Sequence, residues 1–221
     1  MTASTSPKPA PSSVELRIGG LVRLSTCDWP GELVATVFCQ GCPWQCGYCH
    51  NPHLLPARGT DQLAWPDVLA FLETRRRLLD GVVFSGGEPT LQAGLPSAIT
   101  AVRAQGFRVG LHTAGPYPER LARVLPLLDW IGFDVKAPFA EYDRITGVAG
   151  SGDSARASLA LVLASGVECD LRTTVHPDLL GQPALDRLSA DLAALGAGRT
   201  RIQSFRDTGA KISIPPTTNA A

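Results

Sequence analysis

Net charge is missing from this chain: 20 Lys and Arg stand against 20 Asp and Glu in 221 residues. That disfavours a nucleic-acid binder held by bulk positive charge, although a local basic patch could survive the average. No apolar run approaches the ~20 residues that a bilayer-crossing helix needs, so no integral membrane segment is expected. The opening MTASTSPKPAPSS carries one Lys and no hydrophobic stretch. It does not read as a secretory signal, which implies a cytoplasmic location. Cysteine, at six residues, is too scarce for a disulfide-built miniprotein. Linkers, internal repeats and low-complexity blocks are missing from the interior of the chain. What is present is 44% hydrophobic and 18% charged, the composition of a globular chain and not of a disordered polyelectrolyte. At ~100–200 residues per domain, the length fits one domain with tails. Residues 1–13 and 214–221, with almost nothing to bury, are the expected disordered tails around a domain spanning 14–213.

Short apolar runs alternate with segments of helical period along the interior. Strands are predicted at 33–38, 81–85, 107–112, 130–135, 167–175 and 201–205, from length and β-branching. Helices are predicted at 61–79 (capped by Asp61), 92–105, 119–128, 154–165 and 183–195, the last opening on a proline tolerated in a first turn. Strand then helix, five times, then a last strand, predicts an α/β fold with a parallel sheet covered by helices. A closed eight-fold barrel typically needs ~250 residues, so a partial (β/α)6 barrel fits this length better. Function is then expected at the carboxyl ends of the strands. The unusual residues fall there: the cysteine cluster, Gly86-Gly87-Glu88-Pro89, His112-Thr113, Asp134 with Lys136, and Arg172 with His176.

Four of the six cysteines lie between Cys39 and Cys49, in CQGCPWQCGYCHNP. Clustered thiols in a chain without an export signal point to metal before disulfides. A structural zinc site usually takes two ligand pairs a dozen or more residues apart. Here there is one loop, though His50, His53 or Cys39 could complete a tetrahedron. Thiolates also bind iron–sulfur clusters readily. Cys42, Cys46 and Cys49, spaced by three and then two residues, allow one tight loop to grip three irons of a four-iron cube. Cys39 could in principle take the fourth iron, or it could point elsewhere from the end of its strand.

The Cys-x3-Cys-x2-Cys spacing, with Tyr48 before the last Cys, resembles the cluster loop of the radical S-adenosylmethionine (SAM) enzymes. The resemblance implies a [4Fe–4S] cluster whose open iron chelates the amino and carboxylate groups of SAM. One electron then cleaves the sulfonium bond to yield a 5′-deoxyadenosyl radical. Gly86, Gly87 and Glu88 resemble the family's Gly-Gly-Glu element, which holds the SAM amino group. DVKAPFAEYDRITG resembles the Asp-x-Lys element of enzymes that activate glycyl radical enzymes, which brings Lys136 to the SAM carboxylate and Asp134 to the same pocket. His112-Thr113-Ala114-Gly115 falls where that family often has Asp-Thr-Asn-Gly. Thr113 and Gly115 match, while His112 puts the family's monovalent-cation site in doubt. Arg172 matches a strand-five Arg. Nothing is transferred to Arg206, and Cys27, His53, Cys169 and His176 read as structural.

From Ile18-Gly-Gly-Leu21 through Asp28-Trp-Pro-Gly31 to Cys49-His50-Asn51-Pro52, the opening is similar to that of anaerobic ribonucleoside-triphosphate reductase activating proteins. Cys39 departs from the apolar residue usual there. Only 36 residues, none of them Cys, separate Cys49 from Gly86, so the extra ferredoxin module of larger activases is not expected between them. The implied partners are a glycyl radical enzyme, the anaerobic reductase, and a one-electron donor such as flavodoxin or ferredoxin. No nucleic-acid or membrane partner is implied, and no side chain is required as an acid or base. Two alternatives stand beside this reading. One is a small-molecule radical SAM enzyme resembling 7-carboxy-7-deazaguanine synthase. The other is a zinc-stabilised interaction protein without catalysis.

Overall fold

Apolar, β-branched runs bounded by Gly and Asp become strands, and the amphipathic segments between them become the helices that cover those strands. The computed structural model describes residues 16–206, and both expected tails lie outside the described residues. The strands are β1 (Ile18–Ser25), β2 (Val34–Cys39), β3 (Gly81–Gly86), β4 (Arg108–Thr113), β5 (Trp130–Asp134), β6 (Glu168–Val175) and β7 (Arg201–Ser204). They form one sheet in sequential order, antiparallel between β1 and β2 and parallel throughout the rest. The helices are α1 (Trp65–Glu73), α2 (Leu95–Ala104), α3 (Pro118–Val124), α4 (Tyr142–Thr146), α5 (Ser151–Ser165) and α6 (Gln182–Ala194). This is the α/β, partial-barrel architecture that the strand–helix alternation predicts. Among the described residues no helix is long and apolar enough to cross a membrane.

Three features differ from the sequence-based expectation, the unpredicted short helix α4 being one. β1 is an additional edge strand. It carries Gly19 and Gly20 and leaves Val22, Arg23 and Leu24 exposed, so it offers neither alternation nor strong strand propensity. Helix α1 begins at Trp65, not at Asp61, because Leu63 is taken by a bridge to Ile18, with its N–H donating to the Ile18 carbonyl at 3.0 Å. It ends at Glu73, and the chain turns through Arg77, a non-glycine residue at φ 65°.

Alternation along the strands sends side chains to two sides. Ala35, Val37, Val82, Phe84, Val109, Leu111, Ile131 and Phe133 join the main core with Val68 and Leu72 of α1, Ile99 of α2 and Leu159 of α5. On the other side a small cluster of Trp29, Val34, Val83 and Trp130 forms near the start of the strands. Its two indoles stack at 5.4 Å. Gly110 makes room for them: a Cβ there would lie 3.0 Å from Trp29 and 3.1 Å from Trp130. The indoles fill one end of the concave face, and polar groups occupy the other.

Candidate functional site

At the carboxyl ends of the parallel strands lies a cavity of about 740 Å³. Cys42, Cys46 and Cys49 line it, on the loop that leaves β2. The loop is pinned from two directions. The Gly41 and Cys42 amides donate to the Leu54 and Leu55 carbonyls at 2.7 and 3.1 Å. The Gln45 and Gly47 amides donate to Thr146 and Ile145, at the end of α4, at 2.8 and 3.2 Å. The segment carrying Lys136 therefore also carries a clamp for the thiol loop.

Cys39 sits apart from the trio. It continues the Ala35–Val37 face, is fully buried, and belongs to the core beneath the helices. Burial pushes its thiol far above the ordinary range, with Glu88 adding to the effect. Cys42 is pushed up to about 12 by burial and then by Glu88, with its own loop and Lys136 opposing. Thiols this reluctant to ionise need a cation to draw the proton off.

The donor set suits a cluster better than a single ion. Among the described residues no three His, Cys, Asp or Glu side chains converge on a point that one ion would occupy. Thiolates holding separate corners of a cube do not need to converge. Tyr48, also on the cavity wall, is buried and its hydroxyl has no partner among the described residues. A buried polar atom left unpaired is costly, and a bound polar group in the cavity would satisfy it. His50 lines the cavity with its ring 5.2 Å from Phe205, and His53 is exposed.

Gly86 and Gly87 also line the cavity, and their shape explains the glycines. Gly86 has φ 108°, and a Cβ on it would lie 2.5 Å from the Cys39 nitrogen. The Gly87 amide donates to the Cys39 carbonyl and the Glu88 amide to the Gly41 carbonyl, both at 2.9 Å. The pair thus fastens the end of β3 to the thiol loop. These two N–H groups are committed, so an ammonium ligand here would be met by oxygens. Glu88 is buried and draws four donors: the Thr90 amide at 3.0 Å, the Thr90 hydroxyl at 2.5 Å, the Thr113 hydroxyl at 2.9 Å and the Ala114 amide at 3.2 Å. Burial raises its pKa and these donors oppose the rise. Thr113 accordingly serves as a holder of Glu88.

Asp134, Lys136 and Arg172 meet on the opposite wall. Asp134 accepts from Arg172 Nε at 3.0 Å and from Lys136 Nζ at 3.2 Å. Burial alone would raise its pKa, but Arg172 and then Lys136 hold it well below the usual carboxylate range. Burial likewise works against the Lys136 charge, and Asp134 more than compensates. The hydroxyl of Tyr142, a fully buried residue of α4, accepts the Lys136 amide at 2.9 Å. No sequence signal had singled out Tyr142.

Two further residues were missed in the sequence. Cys27, expected to pack as a small apolar residue, is exposed and lines the cavity. The connection after β1 turns inward, so that Asp28 also reaches the cavity and accepts the Thr36 hydroxyl at 2.7 Å. Cys169 lies outside the cavity, half-buried on β6. His176 is buried, its Nδ1 accepting the Asp178 amide at 3.2 Å.

The sequence model of the Radical SAM superfamily matches residues 36–184. A putative glycyl-radical enzyme activating enzyme of Methanocaldococcus jannaschii is 28% identical over 181 residues, 78% of this chain and 73% of the relative. The pyruvate formate-lyase-activating enzyme of Clostridium pasteurianum is 32% identical over 125 residues, 54% of this chain and 52% of the relative. A 7-carboxy-7-deazaguanine synthase of Methanopyrus kandleri is 32% identical over 128 residues, 49% of this chain and 51% of the relative. The chain thus spans about half the length of these last two. Among solved structures, Streptococcus suis SuiB bound to precursor peptide SuiA shares the fold at a TM-score of 0.62 and 13% identity, over 80% of this chain and 40% of that one.

Proposed function

This chain belongs to the radical SAM superfamily, and from that premise we propose that it is a glycyl radical enzyme activase serving an anaerobic ribonucleoside-triphosphate reductase. Enzymes of the superfamily use a [4Fe–4S] cluster and SAM. The observation that carries the site assignment is the meeting of Cys42, Cys46 and Cys49 with Glu88, Asp134 and Lys136 around one cavity. The activase reading draws support from the relatives named as glycyl-radical and pyruvate formate-lyase activating enzymes. Together, cluster and SAM supply a one-electron cleavage whose product can take a hydrogen atom from carbon.

The residues have separable tasks. Cys42, Cys46 and Cys49 hold the iron. Tyr48 offers its unpaired hydroxyl to the bound cofactor. Glu88, kept in place by Thr90, Thr113 and Ala114, presents a carboxylate to the SAM amino group with Gly86 and Gly87 alongside. Lys136 faces the SAM carboxylate, while Asp134 and Arg172 keep its ammonium aimed. No acid or base is needed, because positioning and the exclusion of water are the protein's share of the work. The substrate is a glycine of the reductase, entering as a loop, and the electron comes from flavodoxin or ferredoxin.

Anaerobic incubation of the reconstituted protein with SAM, dithionite and the candidate reductase, followed by electron paramagnetic resonance, tests this. A glycyl doublet is the expected signal, and its absence from a preparation that still cleaves SAM would overturn the activase reading. The likeness to a deazaguanine synthase favours a second reading, a small-molecule substrate. Under that reading the same preparation would convert a purine precursor and leave the reductase silent.

A further inference from the structure

His112 is one of the residues at which this chain departs from the activase pattern, and its surroundings give the departure a function. The ring stands on β4 and is held from three sides. Nε2 lies 2.7 Å from the backbone carbonyl of Asp28, in the connection between β1 and β2. Nδ1 lies 3.1 Å from the Ser85 hydroxyl on β3. The Trp130 indole meets it edge-on at 5.5 Å. A carbonyl can only accept, so Nε2 carries the proton and Nδ1 accepts from Ser85. Arg172 Nη1 lies 3.1 Å from the same Nε2; with the Nε2 proton turned to Asp28 this is a packing contact between two donors and not a hydrogen bond. The rest of that guanidinium grips Asp134. Both side chains cross β5 at a glycine: a Cβ on Gly132 would lie 2.9 Å from Arg172 Cζ and 2.9 Å from His112 Cδ2. The imidazole and guanidinium therefore lean on each other over a gap left for them.

We propose that His112 is a positioning residue that braces the Arg172 guanidinium against the Asp28 peptide and so aims the Asp134–Lys136 pair into the cavity. The proposal rests on the reading that Lys136 binds SAM. A neutral ring suits the task, since it donates to Asp28 while setting no second full charge against Arg172. Burial, followed by the Arg172 charge, keeps it neutral, with its pKa lowered to about 4. Arg172 cannot swing toward the ring's side of β5 while His112 is there, so its hydrogen bonds are directed to Asp134.

The test is SAM affinity, not turnover, measured on anaerobically reconstituted protein. His112→Leu removes the brace and is expected to weaken SAM binding roughly tenfold. His112→Gln restores a donor toward Asp28 and should recover most of that loss. Because His112 acts through Lys136, adding H112L to K136M should cost no further affinity. Wild-type affinity in H112L, or a loss fully additive with K136M, overturns the proposal. Wild-type affinity in K136M would instead overturn the reading of Lys136, and the brace with it. Nitrogen-15 spectra of the cluster-free wild-type protein give a measurement that needs no variant. A neutral Nε2–H ring at pH 6 is expected, and a doubly protonated ring there defeats the brace.

Discussion

Cys39 and Cys42 are three residues apart, yet one is sealed in the core and the other opens on the cavity. The pleat decides this: Cys39 shares its face with Ala35 and Val37, and the turn at Gly41 swings the chain away from that face. Cys46→Ala should therefore abolish the visible absorbance of the reconstituted cluster. Cys39→Ser should keep about four iron and four sulfide per chain while losing ~1–3 kcal/mol of stability to a buried hydroxyl. Iron and sulfide analysis beside urea unfolding checks both. His112 makes a second residue-level prediction. Its folded pKa of about 4 lies below the ordinary 6.5. The stability it contributes is complete above pH 6.5 and is lost as pH falls toward 4, because the unfolded chain takes up the proton first. Each unit of that difference is worth about 1.4 kcal/mol. Urea midpoints of the cluster-free protein measured from pH 7 to 4.5 should fall less steeply in His112→Gln than in wild type. Equal slopes would show that burial and Arg172 do not hold the ring neutral against the opposing pull of Asp134 and Asp28. Much of this scale was legible in the sequence. Glu88, Asp134 and Lys136 are charges at the ends of apolar strands, and Arg172 stands in the carboxyl half of the more polar β6; those positions bring them to one cavity. Cys27 and Asp28 were not legible, because a connection that folds back into the sheet's concave side leaves no periodic mark.

Among the elements, the buried strands were readable because their apolar runs are short, β-branched and bounded by turns. β1 escaped because two glycines and an exposed edge give it no pattern. α4 escaped because at five residues it is too short to show a helical period. Yet α4 is what joins the two halves of the site. Its Thr146 and Ile145 carbonyls hold the thiol loop, and its Tyr142 hydroxyl takes the Lys136 amide. Tyr142 also meets Trp44 of the thiol loop edge-on at 5.9 Å. Tyr142→Phe keeps the ring and its packing but leaves the Lys136 amide without that partner. A cost of ~1–3 kcal/mol is expected from the unpaired amide, read as a lowered urea midpoint at unchanged slope. Weaker SAM binding should accompany it, since Lys136 loses its backbone anchor. Unchanged stability would mean that Tyr142 supports the site by packing alone.

The whole molecule places its main cavity, the candidate cofactor site, where the ends of many elements meet. Residues from the β2 loop and from the ends of β3, β4, β5, β6 and β7 all line one cavity. The six-unit count from the sequence already implied such a convergence, since parallel strands end together by construction. What the sequence could not supply was the filling of the opposite end by Trp29 and Trp130, which pairs residues a hundred positions apart. A ligand that touches so many strand ends binds only when all of them are in place, so it acts on the folded chain as a whole. Linkage then sets a magnitude: SAM at about 100 times its Kd adds about 2.7 kcal/mol to stability. For a domain of this size one kcal/mol moves the melting point by about 2–4 °C, so the reconstituted protein should melt roughly 5–10 °C higher with saturating SAM. Anaerobic scanning fluorimetry with and without SAM measures the shift. Lys136→Met at the same SAM concentration should show a smaller one, because its Kd is higher and the linkage term shrinks. A SAM-independent melting point in wild type, with the cluster present, would mean that the cofactor does not engage the strand ends assigned to it.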